Sequence, residues 1–203
     1  LEKSNILGEL FTAISQRQTI NLHYHTFKNK DVQLTVTLFP YMLKEYNRRW
    51  FLVAAAESDG KLLTFGLDRI DDVENLPSHK YVDYDGDLNG LYEDIIGVTY
   101  KEESPVYKIV LWVSDNSKDY VVTKPLHESQ RSVSETKAQE LYSQFPTLSG
   151  GQFFIIECKE NYELIRELTS FGKDLVVLSP KPITDLVERR VSEMFEIYSK
   201  LRT

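Results

Sequence analysis

The feature that most constrains this chain is a pair of apolar segments joined by a polar link, within residues 49–70. The first segment, residues 49–55 (RWFLVAA), is rich in aromatic and aliphatic side chains. The second, residues 63–70 (LTFGLDRI), alternates apolar and polar ones. The link contains Asp59-Gly60, a pair that tolerates the positive φ angles of tight turns. This pattern predicts two antiparallel strands that form a hairpin.

Each strand of the predicted hairpin carries an arginine on the same face as apolar side chains. Because successive side chains of a strand point to opposite faces, Arg49 shares a face with Phe51, and Arg69 shares one with Phe65. A guanidinium that is half-buried among apolar groups is costly unless a carboxylate or the anion of a ligand meets it. The hairpin is therefore the first place to look for a binding site.

The segments around the hairpin predict one helix and three further strands. Ser4 caps a helix, and alternation then predicts a strand over residues 20–24 and another over residues 32–39 that ends at Pro40. A fifth strand is expected at residues 73–76. A helix followed by short consecutive strands is typical of a small, strongly bent barrel of the SH3 or Sm type.

The second half follows a β-α-β-β-α-β order, which is typical of a ferredoxin-like unit. The predicted strands cover residues 106–113, 130–135, 153–159 and 175–178, and the predicted helices cover residues 114–122 and 162–171. A long amphipathic helix over residues 183–201 follows them. We therefore expect an α+β protein with two domains, a barrel with its N-terminal helix and acidic connection over residues 1–103, and a ferredoxin-like extension over residues 104–203.

The net charge of −7 is concentrated in the connection between the two predicted domains. Residues 81–103 hold one basic residue against seven acidic ones, whereas residues 1–80 hold ten of each and residues 104–203 thirteen against fourteen. No basic face large enough to bind duplex DNA is expected. Tyrosines and isoleucines alternate with the acidic residues of the connection, so we expect it to pack along the barrel.

Candidate catalytic and metal-binding groups are scarce in this sequence. It has no Walker-type glycine loop, no Gly-x-Gly-x-x-Gly after a strand and no Gly-x-Ser-x-Gly motif, so we expect neither an enzyme nor a cofactor. His23 and His25 alternate onto one strand face, but no third ligand cluster follows them, and we expect no metal site. Asp68 is expected to pair with an arginine of the hairpin.

The sequence also indicates where the protein works. Its single cysteine, Cys158, lies in an apolar, strand-like segment and has no second cysteine to form a disulfide. No segment approaches the ~18 apolar residues of a membrane span, and the first residues lack the pattern of a signal peptide. We therefore expect a cytoplasmic protein with no membrane partner.

The hairpin resembles the WYL domain, named for a Trp-Tyr-Leu tripeptide that is Trp50-Phe51-Leu52 here. Other positions similar to that family are Tyr24, Pro40-Tyr41, residues 43–46 (LKEY), Arg49 and residues 67–70 (LDRI). The C-terminal extension of the same regulators is similar to residues 123–127 (TKPLH), Asn161, residues 170–172 (SFG) and residues 178–180 (LSP). The resemblance runs from about residue 5 to the end of the chain.

The resemblance implies an Sm-like barrel that serves as the ligand-sensing module of a bacterial transcription regulator. Such modules respond to single-stranded DNA or to nucleotide-like effectors. The usual N-terminal winged helix-turn-helix of the family is missing here, so we expect a fragment that contacts operator DNA only through an absent N-terminal domain. A regulator of a palindromic operator needs two-fold symmetry, which predicts a homodimer.

The predicted ligand site combines the cations and aromatic rings near the hairpin, because cations bind phosphate and aromatic faces stack bases at ~1–3 kcal/mol each. The predicted ligand-binding residues are Tyr24, Tyr41, Lys44, Arg49, Trp50, Phe65, Asp68 and Arg69. At Leu63, residues 35–37 and Phe51, relatives often carry basic residues or a tyrosine, which implies a weaker or different anion site here. The alternative is a protein–protein interaction module that binds no small ligand.

Overall fold

The structure, a computed structural model, describes residues 5–101 and 103–202. The chain divides into two compact units, Leu1–Leu91 and Tyr92–Thr203, so the division comes earlier than the predicted boundary after residue 103. Both units mix helices with an antiparallel sheet, and the predicted α+β class is confirmed. No helix within the described ranges combines the length and the apolar character that a membrane span requires.

The first unit is a helix followed by a small five-stranded antiparallel barrel, as the sequence predicts. Its elements are α1 (Ile6–Ser15), β1 (Ile20–Thr26), β2 (Asn29–Tyr46), β3 (Arg49–Ala56), β4 (Leu62–Gly66) and β5 (Ile70–Asn75). The strand order is β4-β3-β2-β1-β5. β2 pairs with β1 along its first part and with β3 along its second part, so it bends where Leu38 lies opposite both Ile20 and Ala56.

The longest strand continues through a proline at which the sequence predicts an end. β2 extends past Pro40 to Tyr46, whereas the predicted strand covers residues 32–39 only. Proline has no N–H to donate, and sheets accept it where a bulge interrupts the ladder of hydrogen bonds. The β2–β3 register shifts between Pro40 and Met42, and Tyr41 is the extra residue of that bulge.

The predicted hairpin is confirmed, but its second strand is shorter than predicted. Gly60 takes a φ of +70° in the link between β3 and β4. β4 ends at Gly66, and a 3₁₀ turn over Leu67–Arg69 leads into β5, whereas the pattern predicts one strand through Ile70. The chain turns here because it leaves the edge next to β3 and pairs with β1 at the other edge. Arg69 is therefore placed by a turn and not by a strand face.

Helix α1 packs its apolar side onto the barrel core, where Leu10 and Ala13 are fully buried. The predicted cap, Ser4, lies outside the described residues. Asn5 caps the helix, and its side-chain oxygen accepts a hydrogen bond from the N–H of Gly8 at 3.2 Å. The helix thus starts with one of the residues that favour this position.

The first part of the acidic connection packs on the first unit. Tyr81 donates its hydroxyl hydrogen to the carbonyl of Pro40 at 2.8 Å, and Arg17 forms an ion pair with Asp83. Residues 92–101 belong to the second unit instead, so the prediction that the whole connection packs along the barrel is wrong for that part. Glu102, within the predicted boundary segment, lies outside the described residues.

The second unit has the ferredoxin-like order that the sequence predicts. Its elements are β6 (Val106–Val113), α2 (Lys118–Thr123), β7 (Arg131–Ser132), α3 (Glu135–Gln144), β8 (Gln152–Lys159), α4 (Tyr162–Ser170), β9 (Leu175–Ser179) and α5 (Lys181–Lys200). The sheet order is β7-β8-β6-β9, with every neighbouring pair antiparallel. α2, α4 and α5 contribute to a large core on one face of this sheet.

A helix that the sequence analysis does not predict lies between β7 and β8. The pattern predicts a strand over residues 130–135, but β7 is only two residues long and Ser134 caps α3 by accepting the N–H of Lys137 at 3.3 Å. α3 covers the second face of the sheet, where Leu141 packs in a separate core with Trp112. A helix with so few apolar residues gives little periodic signal, which explains the missed prediction.

The start of α2 differs from the prediction, whereas the end of α4 agrees with it. α2 begins at Lys118 and not at residue 114, because the Ser114 hydroxyl hydrogen-bonds the Asp174 carboxylate at 2.6 Å and does not cap the helix. Gly172 follows α4 with a φ of +57°, the left-handed conformation that ends helices and that glycine adopts at little cost. The predicted stop at Gly172 is confirmed.

Candidate functional site

Phe27 is the residue on which the two hairpin arginines converge. Phe27 and Lys28 form the two-residue turn between β1 and β2. The guanidinium carbon of Arg69 lies 5.0 Å from the centre of the Phe27 ring, and that of Arg49 lies 5.7 Å from it. Both distances are within the range of attraction between a cation and an aromatic face. The first unit therefore has a cluster of two cations around one exposed ring.

Arg49 is already paired within the protein. It forms an ion pair with Asp68, as the sequence predicts for this carboxylate. Half of the Arg49 side chain and 38% of the Asp68 side chain are exposed to solvent. An ion pair in such contact with water contributes little to stability, about 0–1 kcal/mol. A ligand anion can therefore replace the carboxylate of Asp68 at small cost.

Arg69 differs from Arg49 because no carboxylate within residues 5–101 and 103–202 forms an ion pair with it. Its Nε atom is buried and has no hydrogen-bond partner among the described residues. A buried donor without a partner costs about 1–3 kcal/mol, and more when the group is charged. Gly66 makes room for this arrangement, since a Cβ there would lie 2.7 Å from Asp68 Oδ1 and 3.4 Å from Arg69 Nε.

A pocket of about 220 Å³ opens beside Arg69 at one end of the barrel. Its lining consists of Tyr24, Leu63, Thr64, Phe65, Gly66 and Arg69. The rings of Tyr24 and Phe65 meet edge to face with their centres 5.1 Å apart, so they form a rigid aromatic wall. The structure thus brings together three of the predicted residues, Tyr24, Phe65 and Arg69, in one cavity.

Lys44 lies on the same face of the sheet as Arg49. It stands opposite Phe51 in the β2–β3 register, and Phe51 is two residues along β3 from Arg49. Directly opposed residues of an antiparallel pair project to the same side. Lys44 is half-buried and has contacts of its own within the unit. It adds positive charge to this face without lining the pocket.

Trp50 lies apart from the arginines and faces the opposite side of β3. It lines a second, apolar pocket of about 570 Å³ together with Leu43 and with Phe11 of α1. This pocket shares no lining residue with the pocket at Arg69. Of the predicted ligand residues, Trp50 is therefore associated with the helix side of the barrel.

Tyr41 also lies apart, in a cluster with the start of the acidic connection. Its hydroxyl donates to the carbonyl of Val82 at 2.9 Å, and its ring centre lies 6.1 Å from that of Tyr81. Burial, followed by the charges of Tyr81 and Asp83, raises the pKa of Tyr41 to about 12. The hydroxyl is thus held as a neutral donor that fastens the connection to the barrel.

The histidines singled out by the sequence each have a polar neighbour at hydrogen-bond distance, and His23 Nε2 also lies 4.0 Å from Glu74 Oε2. His23 Nδ1 lies 2.8 Å from the Thr35 hydroxyl, and His25 Nδ1 lies 2.9 Å from a carboxylate oxygen of Asp71. In the part of the chain that the structure describes, no three His, Cys, Asp or Glu residues are grouped in a way that could hold a metal ion.

The sequence pattern does not predict a site role for Phe27, the residue whose ring lies beside both arginines. Two-residue hairpin turns favour glycine, asparagine and aspartate, so an aromatic residue there is unusual. Phe27 is 56% exposed and belongs to no core cluster of the described residues. An aromatic residue in a hairpin turn was therefore the sequence signal by which Phe27 could have been predicted as a site residue. It indicates a role in binding and not in core packing.

These groups lie in one region of the first unit. Arg69 has no ion pair within the part of the chain that the structure describes, Arg49 is paired with Asp68, and the rings of Phe27, Tyr24 and Phe65 lie nearby. Guanidinium groups and aromatic rings are the groups with which proteins bind phosphate and stack bases.

The sequence matches two known domain families, one in each unit. The model of the WYL domain matches residues 5–75, and the model of the WCX domain matches residues 105–195. No catalytic family is indicated by these matches. No curated protein sequence matches the chain significantly.

Two solved structures are similar to the chain at low sequence identity. Proteasome accessory factor B/C (PafBC) of Arthrobacter aurescens is 17% identical over 94% of this chain, with a TM-score of 0.39. A CRISPR Cas-related protein is 13% identical over 97% of this chain, with a TM-score of 0.50, and shares its fold. The chain spans only 27% of the first protein and 53% of the second.

Proposed function

The chain belongs to the family of WYL-domain regulators, and from this premise we propose that it is the effector-sensing and oligomerising region of a bacterial transcription regulator. The effector that we propose is nucleotide-like or single-stranded nucleic acid, and it binds at the barrel. A regulator of bacterial genes works in the cytoplasm, which is the location we propose.

The observation that carries this proposal is the pocket beside Arg69. Its guanidinium has no ion pair with the described residues, and its Nε is buried without a hydrogen-bond partner. A partly buried guanidinium without an ion pair favours the binding of an anionic ligand, because the ligand supplies the negative charge that no described carboxylate provides. Phosphate is the matching group, since a guanidinium binds it through two parallel hydrogen bonds.

Arg49 and Asp68 supply the step that follows binding. When a phosphate approaches the two arginines around Phe27, it competes with Asp68 for Arg49. Asp68 lies in the 3₁₀ turn that leads from β4 to β5. Loss of its ion pair with Arg49 would therefore remove a contact that holds this turn against β3. A shift of the turn is the kind of local change by which an effector biases a regulator between two states.

The charge of the protein supports a small effector over duplex DNA. The chain carries 24 basic and 31 acidic residues, and strong duplex binding depends on neutralising many phosphates with a basic surface. In this proposal operator DNA is bound by a separate domain, and the barrel contacts only one or a few phosphates.

We propose a homodimer as the working form, and α5 supplies the surface for it. The first turns of α5 pack on the second unit, where Ile183 is fully buried. Leu186 and Val187 are partly buried against the same core. The apolar side chains from residue 191 onward are at least half exposed, and they are Val191, Met194, Phe195, Ile197, Tyr198 and, just after the helix, Leu201. Sedimentation at micromolar concentration is expected to give twice the mass of one chain, and a single chain would contradict this.

The test of effector binding compares two arginines of the same unit. We expect Arg69→Gln to weaken binding of a fluorescein-labelled hexathymidylate at least tenfold in an anisotropy titration, because a hydrogen bond to a charged group contributes about 1.5–3 kcal/mol. Arg17→Gln is the matched control, since Arg17 is an exposed arginine paired with Asp83. It should bind within twofold of the unchanged protein.

The same titration separates this proposal from the alternative of a pure interaction module. If the unchanged protein binds neither hexathymidylate nor mononucleotides, the effector site is wrong and the interaction module is favoured. If Arg17→Gln weakens binding as much as Arg69→Gln, the effect is one of general charge and the pocket is not the site. Circular dichroism spectra of both variants establish that they fold.

A further inference from the structure

Phe27 has no structural task that accounts for its identity. It occupies a two-residue turn whose other member is Lys28, lies in no core cluster of the described residues and exposes 56% of its surface. Exposing an aromatic ring to water is unfavourable, at about 25 cal/mol for each Å² of apolar surface. The guanidinium groups of Arg49 and Arg69 lie beside its ring.

The pocket beside Arg69 is too small to contain a complete nucleotide-sized ligand. Its volume is about 220 Å³, whereas pockets that enclose drug-sized ligands measure about 300–1,000 Å³. Part of any nucleotide bound there must lie outside the cavity. Arg69 lines the pocket and also lies 5.0 Å from the Phe27 ring centre, so Phe27 is the aromatic surface next to the anion.

From these observations we propose that Phe27 is a stacking platform that requires an unpaired nucleobase on the ligand. The inference rests on the proposed function and deepens it, since it names the part of the effector that the barrel distinguishes. In this proposal the phosphate contacts Arg69, and the base attached to it stacks on the exposed part of the Phe27 ring. Free phosphate and a base-paired duplex lack an available base, so both are excluded as effectors.

The two arginines position this ring for the task. Each guanidinium is attracted to the aromatic face, and Asp68 holds Arg49 in place through its ion pair. The hairpin turn limits the backbone of Phe27, because Thr26 and Asn29 pair directly on either side of it. A platform that is ordered before the ligand arrives loses less entropy on binding.

The experiment measures binding of two probes by the complete chain and its variants. The probes are fluorescein-labelled hexathymidylate and a labelled hexamer of the same phosphodiester length in which abasic residues replace all thymidines. We expect Phe27→Leu, which keeps an apolar side chain, to weaken hexathymidylate binding at least fivefold, because stacking contributes about 1–3 kcal/mol per base. Phe27→Trp should retain the affinity.

The abasic probe should bind the unchanged protein more weakly and should respond to Arg69→Gln but not to Phe27→Leu. Phe11→Leu is the matched control, because Phe11 is a phenylalanine of α1 that is also largely exposed. It should leave both affinities within twofold. Phe27 and Phe11 are exposed side chains and Arg69 is a partly exposed one, and the thermal unfolding curves of all variants check that they remain folded.

Three results would overturn the inference. If Phe27→Leu binds hexathymidylate as well as the unchanged protein while Arg69→Gln does not, Phe27 is no platform and the proposed function stands. Equal affinity of the unchanged protein for both probes would show that the base is not recognised. If neither probe binds at all, the proposed function fails and this inference fails with it.

Discussion

Both units contain a charged side chain with a buried atom that has no hydrogen-bond partner among the described residues, and Arg69 Nε in the first unit and Glu163 Oε2 in the second are two such atoms. At Glu163 the other carboxylate oxygen is in use. It accepts the hydroxyl hydrogen of Thr99 at 2.9 Å and the N–H of Val98 at 3.4 Å. The side chain is 6% exposed and lines none of the described pockets.

The surroundings of Glu163 show that it holds the chain in place. Gly97 has a φ of +88°, and a Cβ there would lie 2.6 Å from Glu163 Cγ, so only glycine lets the backbone pass this close. Asn161, the N-cap residue two positions earlier, donates to the carbonyls of Ile96 and Thr99 at 2.8 and 3.1 Å. The buried polar groups of the second unit thus fix the segment that leads into β6.

This comparison indicates that a buried polar atom without a hydrogen-bond partner suggests a ligand site only where a cavity lies beside it. Glu163 is surrounded by residues 97–99, to which one of its carboxylate oxygens is hydrogen-bonded. The other oxygen, which has no partner among the described residues, lowers the stability less than these hydrogen bonds raise it. Arg69 borders an open pocket, is partly exposed and lies next to an exposed ring. Three predictions test this difference between the two units.

The largest expected effect separates the two charged residues by their contribution to stability. Glu163→Ala should lower the free energy of unfolding of the second unit by about 2–4 kcal/mol, because it leaves the buried N–H of Val98 and the hydroxyl of Thr99 without an acceptor. Arg69→Met should leave the stability of the first unit unchanged or raise it by up to about 1–3 kcal/mol, because it removes a buried donor that has no partner among the described residues.

Urea unfolding followed by fluorescence measures the two effects separately, because Trp50 lies in the first unit and Trp112 in the second. Glu163→Ala is compared with its parent in a Trp50→Phe background, and Arg69→Met with its parent in a Trp112→Phe background. Losses of equal size would mean that Arg69 is structural, and the contrast between the units would be lost.

The second prediction concerns alkaline pH, where burial raises the pKa of Cys158 in the second unit and of Tyr41 and its neighbour Tyr81 in the first. Burial, followed by the charges of Asp94 and Glu157, raises the pKa of Cys158 from 9.0 to about 12, and burial raises that of Tyr41 from 10.0 to about 12. In both cases the folded state holds the proton more tightly. The resulting stability is complete below the unfolded pKa and is lost as pH rises towards 12.

The second unit should therefore begin to lose stability near pH 9, and the first near pH 10. Cys158→Ala should flatten the decline of the second unit, and Tyr41→Phe should flatten that of the first. Hydrogen exchange of peptides from β8 and β3, measured from pH 8 to pH 11, resolves the two units. A decline that is as steep in each variant as in the unchanged protein would contradict the assignment of these groups.

The third prediction, with the smallest effect, compares the two hairpin turns of the first unit that are two residues long, Phe27-Lys28 and Asn47-Arg48. Asn47 and Arg48 have φ angles of +54° and +62°, and left-handed arginine is strained. Arg48→Gly should raise the free energy of unfolding by about 0.5–1 kcal/mol, because Asn-Gly is the preferred pair for such a turn. A thermal melt followed by circular dichroism is sufficient to detect this.

Lys28→Gly is the matched control for the turn at Phe27. Lys28 is not among the described residues with positive φ, so glycine there gains nothing and should lower stability slightly through its greater freedom in the unfolded chain. If both glycine variants stabilise the protein, the strain at Arg48 is not the cause.

Much of the fold could be predicted because it depends on local patterns. The hairpin of β3 and β4, helix α4 with its stop at Gly172, and the ferredoxin-like order all follow from the period of apolar residues and from turn chemistry. The missed elements depend on distant contacts. The continuation of β2 past Pro40 requires pairing with β3, and α3 is stabilised by packing on Trp112.

The candidate site could be predicted in its residue types but not in its arrangement. Alternation places Arg69 on a strand face, yet the chain must cross from one sheet edge to the other, and the 3₁₀ turn it makes there sets the arginine beside the pocket. The same crossing puts Asp68 within reach of Arg49. Phe27 and Arg69 are far apart in sequence, and only barrel closure brings them together.

The sequence by itself determined the class of the protein, the order of its elements and the presence of two arginines that need anionic partners, because these properties follow from composition and local periodicity. Tertiary structure decided which arginine has such a partner. It paired Arg49 with Asp68 and left Arg69 without a carboxylate among the described residues. The reason is geometric, since charge pairing depends on distances of a few ångströms that are fixed only when the strands close around the core.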